Sequence, residues 1–390
     1  MDKSQKPLLM NIVFDTNVVF QDWYLESPSI ELLEKFMSLS GSKIVIPKII
    51  LNEILNKYRE EVSKKLSEIN RLNGLLLPSK RLFHSLTIEG VFQDYKSALN
   101  SRFRILGIEQ PDHSNIPHED IIARDLARRR PFQKSGKGYR DALLWEVILR
   151  NVASQKTKTY LISDNYHDFG DDKGDLHEHL QEDLRKKGLP PDSVSLYCNL
   201  AEFMGAQVKP VLDSIKEAMP DLMQGQYKSF DIYEWFKENG ESIGNSIQQS
   251  MESLFYELRG LEDPSVSYVE DPDEIEVQNV YELDIDSVYV DAFTKVDVVL
   301  DVFVFKSDYD WVSEKLDLQV CDYDWNKHYI FAQATMKLPI NFALNFNINN
   351  ESVEDFEVNI AEFFGFCPNC SEPVISDASE NCTICGKSFF

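Results

Sequence analysis

The chain has 390 residues, 43% hydrophobic and 12% aromatic, which is enough for packed cores and too apolar for a disordered chain. No apolar run approaches the roughly 20 residues of a membrane span. Met1 to Lys6 lead straight into a strand-like run without a small-residue cleavage pattern, so the expectation is a cytoplasmic protein. A net charge of −25 argues against a nucleic-acid ligand, yet the charge is unevenly placed. Residues 1–205 hold 29 Lys+Arg against 29 Asp+Glu, and residues 206–390 hold 11 against 36. The whole excess lies in the second half, which predicts parts with different jobs.

In chain order, Leu8 to Phe14 is a mostly unbroken apolar run, as expected of a parallel strand buried on both faces, and it ends at Asp15-Thr16-Asn17. A helical pattern covers 28–40 with Ile30, Leu32, Leu33 and Phe36 on its apolar face, and Lys43 to Ile46 reads as a short strand. Pro47 opens a helix, where its missing N–H is harmless, and 52–73 continue it. Residues 87–106 read as helix, 107–118 as loop, Glu119 to Arg130 as helix, 132–138 as a glycine-containing loop and Tyr139 to Asn151 as a strongly apolar helix. Thr159 to Ser163 is a second buried strand, ending at Asp164. Strands and helices alternating at this spacing predict an α/β fold with a parallel sheet.

Residues 206–260 are helical in pattern. The stretch 263–276 is acidic and proline-containing and reads as a linker, and 277–360 carry the period-two Val, Phe, Tyr and Asp of an antiparallel β domain. The expected boundaries are 1–205 for the α/β domain, 206–262 for a helical connector, 263–365 for the acidic β domain and 366–390 for a cysteine-rich end. There Cys367, Cys370, Cys382 and Cys385 form C-x2-C-x11-C-x2-C, the spacing of a closed, structural four-thiolate Zn²⁺ ribbon. Cys198 and Cys321 are expected as buried small hydrophobes.

Four acids stand where structure alone explains them poorly. Asp15 and Asp164 each follow a buried strand, and ligands of open parallel sheets bind at the carboxyl ends of strands. Glu53 shares a helical stripe with Ile49 and Ile50, and Asp141 shares one with Leu144, Trp145 and Ile148. Each also has an ordinary reading: Asp15 as a cap or turn residue, Asp141 as a complement to the helix dipole, Glu53 as a partner of Lys57, and Asp164 as a turn cap with Asn165. Carboxylates gathered at one place repel unless a cation neutralises them. Mg²⁺ or Mn²⁺ suits hard oxygen ligands, and either can polarise a phosphodiester and acidify a water.

Phe14-Asp15-Thr16-Asn17, the helix with Glu53, Gly138-Tyr139-Arg140-Asp141-Ala142-Leu143-Leu144-Trp145 and Leu161-Ile162-Ser163-Asp164-Asn165 together resemble the ordered motifs of the PIN domain nuclease family, over about residues 8–205. The likeness is to a large-insert branch, since 87 residues separate Glu53 from Asp141 and the insert 57–118 exceeds what a compact PIN domain needs. The resemblance implies a Rossmann-like α/β/α sandwich. It also implies Mg²⁺- or Mn²⁺-dependent cleavage of single-stranded RNA, as in many toxin, defence and RNA-processing nucleases. Asp15, Glu53, Asp141 and Asp164 fall on the family's acidic positions, Asp168 and Asp171 follow as further ligands, and Thr16, Asn17 and Ser163 match polar positions that orient the acids.

Beside these acids lies a basic segment, Arg124, Arg128, Arg129, Arg130, Lys134, Lys137 and Arg140, seven cations in 17 residues. It reads as a phosphate-tracking patch, or as a solvated helix end that balances nearby acids. Phe132, Tyr139 and Tyr166 are candidates for base stacking or for packing, and His167, His177 and His179 for loop positions or metal ligands. The acidic half suits a basic protein partner, intramolecular restraint of the nuclease or plain solubility, and the chain can also form a homo-oligomer. The sequence reading is a metal-dependent endoribonuclease, as a toxin or anti-phage effector. Its rivals are a DNA-cleaving nuclease and a non-catalytic PIN scaffold that recruits a partner through its acidic half.

Overall fold

The computed structural model describes residues 9–75, 87–132, 137–171, 175–210, 212, 220–251, 261–284, 286–313, 317–360, 363–366 and 373–375. The chain divides into two compact units, one of residues 1–26 and 33–211 and the other of residues 27–32 and 212–390. Among the described residues no helix is long and apolar enough to cross a membrane.

The first unit is built on a parallel sheet. Strand β1 (Met10–Phe14) leads through helices α1 (Thr16–Gln21) and α2 (Pro28–Ser40) to β2 (Lys43–Val45). Helices α3 (Lys48–Leu75), α4 (Ile88–Ile105), α5 (His118–Leu126) and α6 (Tyr139–Gln155) then precede β3 (Lys158–Ile162). Helices α7 (Tyr166–Phe169) and α8 (Glu178–Lys186) precede β4 (Val194–Tyr197), and α9 (Leu200–Phe203) follows it. The strand order is β2-β1-β3-β4, all pairs parallel. All five β1 positions are buried, as in a strand covered by helices on both faces. The sequence left β4, α1 and α8 unnamed, because none of the three carries a long apolar signal of its own. α5 stops at Leu126, four residues short of the expected Arg130. The backbone turns there, with Arg128 at φ +49°, and bonds Arg129 N–H to Arg124 O.

The second unit holds α10 (Pro220–Met223), β5 (Gln226–Tyr227), β6 (Phe230–Asp231), α11 (Ile232–Glu238), α12 (Gly240–Met251), β7 (Leu261–Val269), β8 (Ile275–Glu282), β9 (Ser287–Phe305), α13 (Tyr309–Ser313), β10 (Asp317–Asp322), β11 (Tyr329–Asn347), β12 (Ser352–Ile360), β13 (Phe363–Phe366) and β14 (Pro373–Ile375). Strands β9 and β11 run antiparallel over 19 residues each. β7 and β8 line the outer edge of β9 in succession, and β10 and β12 do the same for β11. Two expectations change here. The stretch 263–276 is largely β7 and the start of β8, because its alternating Val266 and Tyr268 pair with β9 despite the flanking acids. The segment read as a connector shares one core with the sheet. Leu222, Phe236, Ile243 and Ile247 are all buried against strand residues such as Val298, Leu338 and Phe342.

Of the cysteines, Cys198 is half-buried and Cys321 exposed, contrary to expectation. Cys321 sits at a break in register between β10 and β11, where a bulge turns the residue off the ladder. Cys367, Cys370, Cys382 and Cys385 lie outside the described residues, as do Lys134 and the side chains of Tyr166 and His167.

Candidate active site

The carboxyl end of the parallel sheet assembles the acids. β1 and β3 are adjacent and in register, with Phe14 opposite Ile162. Asp15 and the Ser163-Asp164 pair therefore emerge side by side. Asp15 is buried, and its Oδ1 accepts from Thr16 N–H at 2.7 Å, which caps α1. Its Oδ2 accepts from Ser163 Oγ–H at 2.5 Å, and the same Oγ accepts from Asn165 N–H at 3.1 Å. Capping and site-building are thus one arrangement: each Asp15 oxygen is fixed by a donor from a different strand end.

The remaining acids come from helices. Glu53 lies in the second turn of α3 with its side chain 14% exposed, and it pairs with Arg140 at 2.5 Å. The expected Lys57 is not its partner. Asp141 is half-buried in the first turn of α6, one turn before the buried Leu144 and Trp145, and Asn165 Nδ2–H reaches its Oδ1 at 3.5 Å. Asp168, on α7, is buried and stands 3.6 Å from Arg130. Asp164 is exposed and accepts a hydrogen bond from the Asn17 side chain.

The electrostatics show how close these groups come. Desolvation first, then the charges of Asp15, Asp168 and Glu53, push the Asp141 carboxyl up to about 6 against the pull of Arg140. Asp164 is also raised, by desolvation and by Asp15, while the Asn17 hydrogen bond and Lys57 oppose the rise. Asn17 Oδ1 is buried without a hydrogen-bond partner. Among the described residues no three carboxylates, histidines or cysteines converge closely enough to form a ready metal cage. The donors fit a hard divalent cation by chemistry and charge, as oxygen-only ligands with mutual repulsion to relieve, and Mg²⁺ keeps several waters in such sites.

The basic segment is mostly held by acids. Arg124 is 8% exposed, bonded to Asp183, Glu146 and the Arg130 carbonyl, so it is a buried charge and not a phosphate contact. Asp183, itself buried, also accepts from Arg129 at 3.1 Å and from Trp145 Nε1–H at 3.1 Å. Arg129 pairs further with Glu182 at 2.9 Å and Arg128 with Asp125 at 2.6 Å. Lys137 is exposed. Phe132 is packed in the core beside Ala142 and Val147, and Tyr139 is 44% exposed with its hydroxyl 3.0 Å from His118 Nδ1. His177 Nδ1 accepts from His179 N–H and caps α8, while His179 Nδ1 accepts from Arg130 N–H at 3.2 Å. Asp171 N–H donates to the Asp175 carbonyl at 2.8 Å, and Asp171 Oδ1 accepts from Asp175 N–H at 3.0 Å.

Sequence reasoning placed Lys57 as the partner of Glu53, and the structure gives that partner as Arg140. The place of Lys57 four residues after Glu53 suggested an intrahelical ion pair. The competing Arg140 comes from α6, and no spacing rule within α3 reveals it.

These features define a parallel α/β/α sandwich with acids gathered at the carboxyl ends of its central strands, which fits the fold of a PIN domain. In agreement, residues 12–169 match the sequence model of a family described as PIN domain. No curated protein and no solved structure matches the chain. PIN domains are in general nucleases that cleave the phosphodiesters of nucleic acids and typically use Mg²⁺ or Mn²⁺.

Proposed function

We propose that the chain is a metal-dependent endoribonuclease acting on single-stranded RNA, with Asp15, Glu53, Asp141, Asp164 and Asp168 as the residues that hold Mg²⁺ or Mn²⁺. The observation that carries this reading is the meeting of acids from separate elements at the carboxyl end of the sheet: Ser163 ties Asp15 to the strand end that bears Asp164, and Asn165 reaches Asp141, whose carboxyl is raised to about 6 by burial first and then by the charges of Asp15, Asp168 and Glu53. A fold keeps such repulsion where a cation relieves it. When bound, the cation neutralises the phosphodiester and acidifies the attacking water. The chain's own part is positioning. Ser163 and Thr16 fix the two Asp15 oxygens, Asn17 holds Asp164, and Asn165 holds Asp141. Arg130 and Arg140, with Arg128, Arg129 and Lys137 further out, are the cations proposed to approach the strand as carboxylates release them.

The choice of RNA over DNA, and a role as a toxin or anti-phage effector, rest on the resemblance. The acidic half fits restraint of the site or a basic partner by its charge. The four C-terminal cysteines suit Zn²⁺ by donor chemistry.

The test is cleavage of a labelled single-stranded RNA and its DNA counterpart with Mn²⁺, Mg²⁺ or EDTA. We expect RNA to be cut, with loss in EDTA and a fall of at least about 100-fold in Asp15→Asn, as for removal of one preorganised charge-stabilising group. Equal activity in Asp15→Asn overturns the assignment, and cleavage confined to DNA selects the first rival.

A further inference from the structure

The ammonium of Lys57 stands out among the cations around the cleft. The cations nearest the acids, Arg130 and Arg140, are paired with Asp168 and Glu53. Lys57 is exposed, and among the described residues no carboxylate lies within ion-pair distance of it. It follows Glu53 by four residues and so shares that face of α3. Its Nζ stands 4.1 Å from the centroid of the Phe20 ring. Phe20 in turn lies one turn after Asn17 on α1, and Asn17 is the residue that holds Asp164. Lys57 therefore stands where α1 and α3 meet beside the acids, and its positive charge is felt at Asp164.

The ring beneath Lys57 is braced. Phe20 packs on Trp23 with centroids 4.9 Å apart, and Trp23 meets the edges of Tyr58 and Tyr95 at 5.4 and 6.1 Å. Tyr58 and Tyr95 stack at 3.5 Å, and Tyr95 O–H donates to the Trp23 carbonyl at 3.1 Å. A lysine in water samples many rotamers. One held over a fixed aromatic face keeps its charge in one place while its remaining N–H donors stay free.

We propose that Lys57, seated on Phe20, forms a phosphate-binding subsite for a single-stranded nucleic acid on the α1–α3 side of the acidic cleft. The proposal takes its ligand class from the nuclease reading above. A backbone phosphate of the bound strand would replace water on the ammonium. The strand would then be held against a cleft whose own charge repels it. Phe20 is the positioning residue, and Lys57 makes the contact.

The experiment measures binding and not turnover, so it stands apart from the nuclease test. A fluorescent single-stranded RNA, and DNA of the same sequence, are titrated by anisotropy with the full chain carrying Asp15→Asn in Mg²⁺. The titration is repeated after adding Lys57→Ala, Lys57→Arg or Phe20→Leu, at several salt concentrations. We expect Kd to rise about tenfold for Lys57→Ala, and the slope of log Kd against log salt to shrink by about 0.7, the loss of one phosphate contact on a single strand. Lys57→Arg should restore both, and Phe20→Leu should fall between. A purely structural lysine would lower the unfolding midpoint and leave the salt slope alone. An unchanged Kd and slope in Lys57→Ala overturns the subsite, as does a chain that binds neither strand. A wild-type chain that binds through Lys57 yet cuts nothing overturns the nuclease reading alone. The RNA and DNA arms show whether the subsite reads the shared phosphate or prefers one sugar.

Discussion

At the scale of single residues, Asp141 shows what the site stores. Folding raises its carboxyl from the ordinary 3.8 to about 6, so between those values the folded chain binds more protons than the unfolded one. Stability from this group therefore falls as pH rises through that window and stays reduced above it, by up to about 3 kcal/mol. We expect Asp141→Asn, in EDTA, to have a higher urea midpoint than wild type at pH 7.5, with the two converging near pH 4. Added Mg²⁺ should raise the wild-type midpoint more than that of the variant. No difference between the two at pH 7.5 would mean that neither burial nor the neighbouring acids penalise the Asp141 carboxylate. The sequence showed that these carboxylates lie at strand and helix ends, because strand termini and helical stripes are local patterns. Which cation answers each one was hidden, since Arg140 and Glu53 are 87 residues apart and meet only through packing of α3 and α6.

At the scale of elements, the placement of Asp141 depends on how α6 begins. Gly138 caps that helix with φ +119°, and a Cβ there would stand 2.7 Å from the Pro131 carbonyl oxygen and 3.0 Å from the Phe132 Cα. Both contacts are backbone, so a side chain forces the start of the helix to move. Gly138→Ala should destabilise the chain by about 1–3 kcal/mol and lower nuclease activity beyond what a comparable loss of stability elsewhere produces. The comparison is activity of this variant against Ile148→Val, a core change on the same helix. Equal activities at matched folded fraction would separate the helix start from the site. The glycine signalled a turn in the sequence, while the carbonyl that confines it did not. Helix α3 was legible in its charged middle, but its packing against α1, α4 and α6 was not.

At the scale of the whole molecule, the parallel sheet was legible because buried parallel strands read as unbroken apolar runs. The second unit was read less fully. Its long strands showed alternation, but the amphipathic α11 and α12 look alike whether they link domains or cover a sheet, and the apolar face of β9 and β11 decides between these. The terminal C-x2-C pairs make a separate prediction. The purified chain should carry about one Zn²⁺, and Cys367→Ser with Cys382→Ser should remove it and lower the amount of soluble protein, since small ribbons fold on their metal. Retention of zinc in the double variant would place the ion elsewhere. The order of the site residues along the chain has a further consequence during synthesis. Glu53 leaves the ribosome about 111 residues before Asp164, roughly 5–20 seconds at ordinary elongation rates. Only when β3 slides in beside β1 do the acids face one another. A nascent chain of this design therefore has no assembled acidic site until β3 has been made and has paired with β1.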